Sequence, residues 1–194
     1  MRKTVQLTDG SEVLVAELTE DDAERSLAFF RSLPSEDRAY LRHDVTDPQV
    51  VARRIQDIKR GKALRLIALA GDEIVADGSL ELEPDGWKEH VAEIRLIVAR
   101  EYQRKGLGML MAREIYFLAA GKRVDEIVVR FMTPQVGARN IFTKLGFHED
   151  ATLPGYVKDV AGRKQDLVIM RCDLEALWKK LESQFTGSDW QRMR

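Results

Sequence analysis

The stretch Glu93–Leu118, EIRLIVAREYQRKGLGMLMAREIYFL, decides the fold. Ile94, Leu96, Ile97 and Val98 form an apolar, mostly β-branched run, as expected of a strand covered on both faces. Leu110, Met111, Ile115 and Leu118 follow at spacings of 1, 4 and 3, one stripe of an amphipathic helix. Between strand and helix lies Gln103-Arg104-Lys105-Gly106-Leu107-Gly108. The first turn of a helix presents unpaired N–H groups and the positive end of the helix dipole. Gly106 and Gly108 let backbone approach a ligand, and Arg104 and Lys105 add charge. The turn therefore reads as a cradle for a phosphate or pyrophosphate. The spacings GxxxxGK[ST] and GxGxxG are both absent, which excludes a Walker loop and a dinucleotide fingerprint.

Outward from this stretch the chain alternates. Thr4–Leu7 and Val13–Leu18 read as strands joined by an Asp9-Gly10 turn. Thr19 caps a helix whose face is Ala23, Leu27 and Phe30. Asp47-Pro48 opens a second helix with Val51, Ile55 and Ile58 as its stripe. Leu64–Ala70 and Glu73–Glu83 read as an antiparallel pair ahead of the central strand. Beyond the central helix, Val124–Met132 reads as a strand, and a helix starting at Pro134 ends near Leu145-Gly146. Phe147–Leu153 and Asp166–Cys172 form a last pair of strands, with turn signals at Pro154-Gly155 and Ala161-Gly162. Asp173 caps a final helix carrying Leu174, Leu177, Trp178, Leu181 and Phe185, a packing or homodimer surface. The fold class expected is α/β: a mixed sheet with helices on both faces, one domain over residues 1–172. Residues 1–12 are an N-terminal strand extension and residues 173–194 a C-terminal helix and tail.

Composition bounds the function. The 194 residues are 44% hydrophobic and 32% charged, enough for one real core under a charged surface. A formal net charge of −1 gives no global attraction to nucleic acid or an anionic membrane. No apolar run is long enough to span a bilayer, and the start MRKTVQLTDG has no signal core, so a cytoplasmic protein is expected. The single cysteine, Cys172, follows an apolar run and reads as a structural thiol. His43, His90 and His148 have no ligand-like spacing, so no metal site is expected.

Two blocks of sequence carry a family resemblance. Gln103-Arg104-Lys105-Gly106-Leu107-Gly108 resembles the Q/R-x-x-G-x-G/A motif of the GNAT superfamily of N-acetyltransferases. Phe142-Thr143-Lys144-Leu145-Gly146-Phe147 resembles that family's YxKLGF segment. The likeness covers roughly residues 13–171. It implies the GNAT fold and acetyl-CoA as co-substrate. It also implies that Leu96, Ile97 and Val98 lie beside the pantetheine arm. The backbone from Gln103 through Arg104, Lys105, Gly106, Leu107 and Gly108 to Met109 would hold the pyrophosphate. The N–H of Val98 would polarise the thioester. The family's asparagine and tyrosine positions fall on Gln135 and Phe142. A phenyl ring has no proton to give, so the acid is displaced to another group such as Tyr156 or water, or the thiolate leaves unaided.

Acetyl transfer to an amine also needs a base. Glu81, Glu83, Asp85, Glu89 and Glu93 cluster ahead of and within the central strand. They read either as an acidic rim for a cationic amine or as a solvated sheet edge. Glu93 is the candidate base. Aligned through Val98, the glutamate of some family members falls on Ala92, which would put Glu93 on the opposite face. Tyr40-Leu41-Arg42 lies where the family shapes its acceptor site. The expected activity is transfer of an acetyl group to the primary amine of a small molecule, directly, within a ternary complex. A protein lysine or N-terminal acetyltransferase and a non-catalytic acyl-CoA sensor are the alternatives.

Overall fold

The structure, a computed structural model, describes residues 2–83, 86–122 and 124–174. Its strands are β1 (Arg2–Gln6), β2 (Glu12–Glu17), β3 (Ala63–Ala70), β4 (Glu73–Leu82), β5 (Val91–Val98), β6 (Glu126–Met132), β7 (His148–Lys158) and β8 (Lys164–Asp173). Its helices are α1 (Ala23–Ser32), α2 (Ser35–Arg38), α3 (Pro48–Lys59), α4 (Leu107–Ala120) and α5 (Val136–Lys144). The strands form one sheet in the order β1-β2-β3-β4-β5-β6-β8-β7. All neighbours are antiparallel except β5 and β6, which run parallel and are joined through α4. The mixed α/β fold expected from the sequence is the fold observed.

Alternation along the strands divides the core between two faces. Leu66, Ala68, Leu80, Ala92, Ile94, Ile127 and Val129 pack with α4 and α5. Ile67, Leu69 and Ile74 pack with α1 and α3. Phe30 of α1 is fully buried there; burial of a side chain of that size is worth about 1.5–3 kcal/mol. Asp47 caps α3 by accepting from the Gln49 N–H at 2.9 Å, with Pro48 at the first helical position. Cys172 is buried, and burial pushes its thiol up from the ordinary value.

Four local expectations change. α1 buries Ser26, Phe29 and Phe30, while Ala23 and Leu27 sit only at its edge. The polar stretch after Ser35 contains the helical turn α2. α5 begins at Val136 rather than Pro134, because the Gln135 Oε1 accepts from the Met132 N–H at 2.8 Å and holds the entry turn. Pro154-Gly155 is not a turn: β7 runs through it with a register shift between Leu153 and Val157. Asp166 accepts from the Gly155 N–H at 2.8 Å and pins the irregularity. The chain reverses at the expected Ala161-Gly162 turn, where the Asp159 Oδ1 accepts from the N–H groups of Ala161 and Arg163, both at 3.0 Å. Asp173 is the last residue of β8; the helix expected after it lies outside the described residues. No helix among the described residues is long and apolar enough to cross a membrane.

Candidate active site

β5 and β6 part company. They pair only from Val91↔Glu126 to Ile94↔Val129. β5 stays paired with β4 as far as Val98, and β6 with β8 as far as Met132. The gap opens beside Leu96, Ile97 and Val98, and this is why those residues are only half-buried where burial on both faces was expected. The Ala99 N–H donates to the Val75 carbonyl at 2.8 Å. Bonded and non-bonded pairs alternate along an antiparallel ladder, so the N–H of Val98, opposite Ala76, turns away from β4 and faces the gap.

The basic loop sits at the wide end of that gap. The Gln103 side chain donates to the Val98 carbonyl at 3.0 Å and ties the loop to the strand end. Arg104 takes φ +59° and Gly106, the N-cap of α4, takes φ +86°. Backbone here is left-handed, which favours glycine. Leu107, Gly108 and Met109 form the first turn of a 14-residue helix, so their N–H groups have no acceptor one turn back. A Cβ on Gly108 would stand 2.9 Å from Ile141 Cδ1, so this glycine lets α4 and α5 close together. Lys105 is paired with Asp9 at 2.8 Å and lies over the Tyr102 ring, while the Thr8 N–H donates to the Lys105 carbonyl. The N-terminal hairpin therefore braces the loop. Lys105 holds the Asp9 carboxyl well below the usual carboxylate range, and Arg104 is left as the exposed cation. Open N–H groups, left-handed backbone and one outward arginine fit a pyrophosphate.

A cavity of about 110 Å³ runs through the gap from one face of the sheet to the other. On the α4 and α5 side it is lined by Ile94, Leu96, Val129, Phe131, Ala138 and Phe142. Phe142 is buried edge-on against Phe147, their ring centroids 5.1 Å apart. On the α1 and α3 side the lining includes Phe30, Arg54, Arg65, Asp77, Arg95 and Arg130. A second chamber of about 450 Å³ adjoins it, lined by Tyr156 and Leu153 of β7 and sharing Tyr40, Arg42, Arg130 and Gln135. Tyr156 is 69% exposed.

Glu93 and Ala92 face opposite sides of the sheet, as alternation requires. Ala92 is in the core and Glu93 is on the α1 and α3 face. Its two oxygens are held by Arg42 in a bidentate pair, by Arg130 at 3.2 Å and by Arg95 at 3.5 Å. Glu81 accepts from Ser79 at 2.7 Å and from Arg65 at 3.1 Å. Arginines thus hold two of the five carboxylates that the sequence offered as an acidic rim; Glu83 and Glu89 are exposed, and Asp85 lies outside the described residues. Arg65 and Asp77 form a buried pair at 2.6 Å. The sequence signal for it was a charge inside each of two apolar runs, ALRLIALA and EIVADGSLEL, which a search for motifs passes over. His43 also lines the cavity; partial burial and the guanidiniums of Arg95 and Arg54 hold its imidazole below the ordinary value. Burial pushes Arg54 down to about 10, against the pull of Asp77. No metal-like group of three or more His, Cys, Asp and Glu side chains occurs among the described residues.

The profile of the acetyltransferase (GNAT) family matches residues 27–147, more than half of the chain. No curated protein matches the chain in sequence. Many solved structures share the fold. The GNAT domain of S. lividans PAT is 19% identical with a TM-score of 0.74, covering 89% of this chain and 97% of that one. A ribosomal-protein-alanine N-acetyltransferase from Brucella melitensis is 20% identical with a TM-score of 0.73, covering 82% and 99%. YncA, a putative acetyltransferase from Salmonella typhimurium solved with its cofactor acetyl-CoA, is 17% identical with a TM-score of 0.73, covering 84% and 95%. With the family match, the splayed β5 and β6 and the loop at the start of α4, the chain belongs to the GNAT family and is an acetyl-CoA-dependent acetyltransferase.

Proposed function

We propose that the protein transfers an acetyl group from acetyl-CoA to the primary amine of a small molecule, by direct attack within a ternary complex. The observation that carries this reading is the cavity through the sheet. A donor lying against α4 and an acceptor entering from the α1 and α3 side would meet in the gap beside Val98. Holding two reactants in that way can remove up to about 7–11 kcal/mol of barrier in favourable cases.

Each residue then has a part. The N–H groups of Leu107, Gly108 and Met109, with Arg104, hold the pyrophosphate, and Gln103 and Lys105 brace the loop. Leu96, Ile97, Gln135 and Phe142 line the donor's path. The Val98 N–H donates to the thioester oxygen as it gains negative charge. The amine nitrogen bonds to the carbonyl carbon, the C–S bond breaks, and the amine loses a proton. Glu93 has both oxygens engaged by arginines, so its role is to position them. His43, whose neutral form is favoured, takes the proton. Tyr156, in the adjoining chamber, protonates the leaving thiolate in place of the hydroxyl that Phe142 lacks.

The test is release of coenzyme A thiol with a panel of small amines, beside a panel of peptides presenting a lysine or a free N-terminus. Turnover with small amines supports the reading. Turnover only with peptides moves the acceptor to a protein, the activity named for the Brucella melitensis structure. CoA binding without turnover on either panel reduces the protein to a sensor.

A further inference from the structure

The α1 and α3 side of the cavity carries more positive charge than it neutralises. Arg42, Arg54, Arg65, Arg95 and Arg130 line it, and Asp77 is the one carboxylate in its wall among the described residues. Glu81 and Glu93 stand behind it, each tied to arginines. Five guanidiniums thus face three carboxylates.

Two of the five are poorly partnered. Arg54 makes no hydrogen bond among the described residues: its nearest carboxylate oxygen is Asp77 Oδ1 at 3.9 Å, and its guanidinium lies 4.4 Å over the Phe30 ring. Its Nη1 is buried without a partner. Arg95 makes only long contacts, 3.5 Å to Glu93 and 3.9 Å to Glu81, and its Nε is likewise buried and unpartnered. Arg65 is 6% exposed, with an unpartnered Nε. A desolvated guanidinium without hydrogen bonds, as Arg54 is at 20% exposure, is costly, and an anion supplied from outside removes the deficit; Arg95, 39% exposed, stays open to such an anion.

We infer that the acetyl acceptor carries a carboxylate besides its amine, and that Arg54 and Arg95 receive that carboxylate. This rests on the small-molecule reading given above. The placement is consistent with it. Arg95 lies three residues before Val98 on β5, about 10 Å along the strand from backbone to backbone, a separation that the arginine side chain and a short amino acid would bridge together. A diamine or polyamine would instead meet a wall of like charge.

The experiment compares acceptors that differ only in that group. Thiol release is measured for amino acids and for their carboxamides and decarboxylated amines. The acid is expected to lead its uncharged twin by about 10- to 100-fold in kcat/KM, the usual worth of hydrogen bonds to a charged group. Arg54→Gln and Arg95→Gln are each expected to lower the ratio of acid to carboxamide kcat/KM by a similar factor, chiefly through KM for the acid, and Arg95→Lys to restore part of the loss. Equal or better turnover of the carboxamide, or of a polyamine, overturns the inference. So that a protein acceptor does not hide the result, calorimetric binding of N-acetyl amino acids to the CoA complex is measured beside their N-acetyl amides. Where neither the acids nor their uncharged twins are turned over, binding of the acids alone, lost in Arg54→Gln, supports the carboxylate site. No preference for the acids overturns it, even if small amines are acetylated.

Discussion

Replacing Asp77 by alanine should be among the most damaging single changes in the sheet. Asp77 and Arg65 lie 2.6 Å apart, and each side chain is 5% exposed. Removing one partner of a buried pair costs about 3–5 kcal/mol, because the other charge is left without compensation in a dry place. Arg65 would keep Glu81 at 3.1 Å, which pulls the figure toward the low end. Arg54 would lose its nearest carboxylate, which pulls it up again. We expect a loss of about 3 kcal/mol for Asp77→Ala. Asp77→Asn keeps an acceptor for Arg65 and should lose about half as much. The double change Arg65→Met with Asp77→Leu removes both charges and should return most of the loss, since apolar replacement of a buried pair is often neutral. Urea unfolding of the four proteins, monitored by circular dichroism, gives the comparison. A loss below about 1 kcal/mol for Asp77→Ala, with an unchanged denaturant slope, would refute the claim that the pair is buried and interdependent.

Other changes test the site. Gly106→Val puts a β-branched residue at φ +86° against Thr8 and should cost about 1–2 kcal/mol and weaken CoA binding, read by melting and calorimetry. Tyr156→Phe should lower kcat by about 10- to 100-fold with little change in CoA affinity, and Phe142→Tyr should recover part of that loss in the double variant; no change in either would remove Tyr156 from the mechanism. The imidazole of His43 must be neutral to take a proton, and its neutral form is favoured. The acid limb of kcat/KM should therefore fall as pH drops through a value below the ordinary 6.5 of histidine, and His43→Gln should flatten it. Asp9 is held below the usual carboxylate range by Lys105, so the brace it provides is present above that range and lost as pH falls through the lowered value. Asp9→Asn should make CoA binding at neutral pH resemble wild-type binding in acid, measured by calorimetry.

Local features of the chain were legible because they depend on neighbours in sequence. The alternation of β-branched residues, the Asp9-Gly10 turn, the Asp47-Pro48 cap and the glycine-rich start of α4 all express backbone preferences acting over a few residues. Spacing alone also put Glu93 opposite Ala92. The reading failed at Pro154-Gly155, where a side chain from another strand, Asp166, holds an irregular β7 open. It also failed to foresee Arg65, Asp77, Arg54 and Arg95 as one group, because they come from β3, β4, α3 and β5.

The sequence by itself determined most of the elements, the mixed α/β class and the glycine-rich turn at the start of α4, since hydrophobic period, glycine conformation and helix ends are local physics. Only the tertiary structure decided where β5 and β6 separate, which groups face the resulting gap, and that its α1 and α3 side is lined by guanidiniums rather than by an acidic rim. Those outcomes depend on strand order and register, which bring together charges far apart in the chain, and no pattern within one segment carries that information.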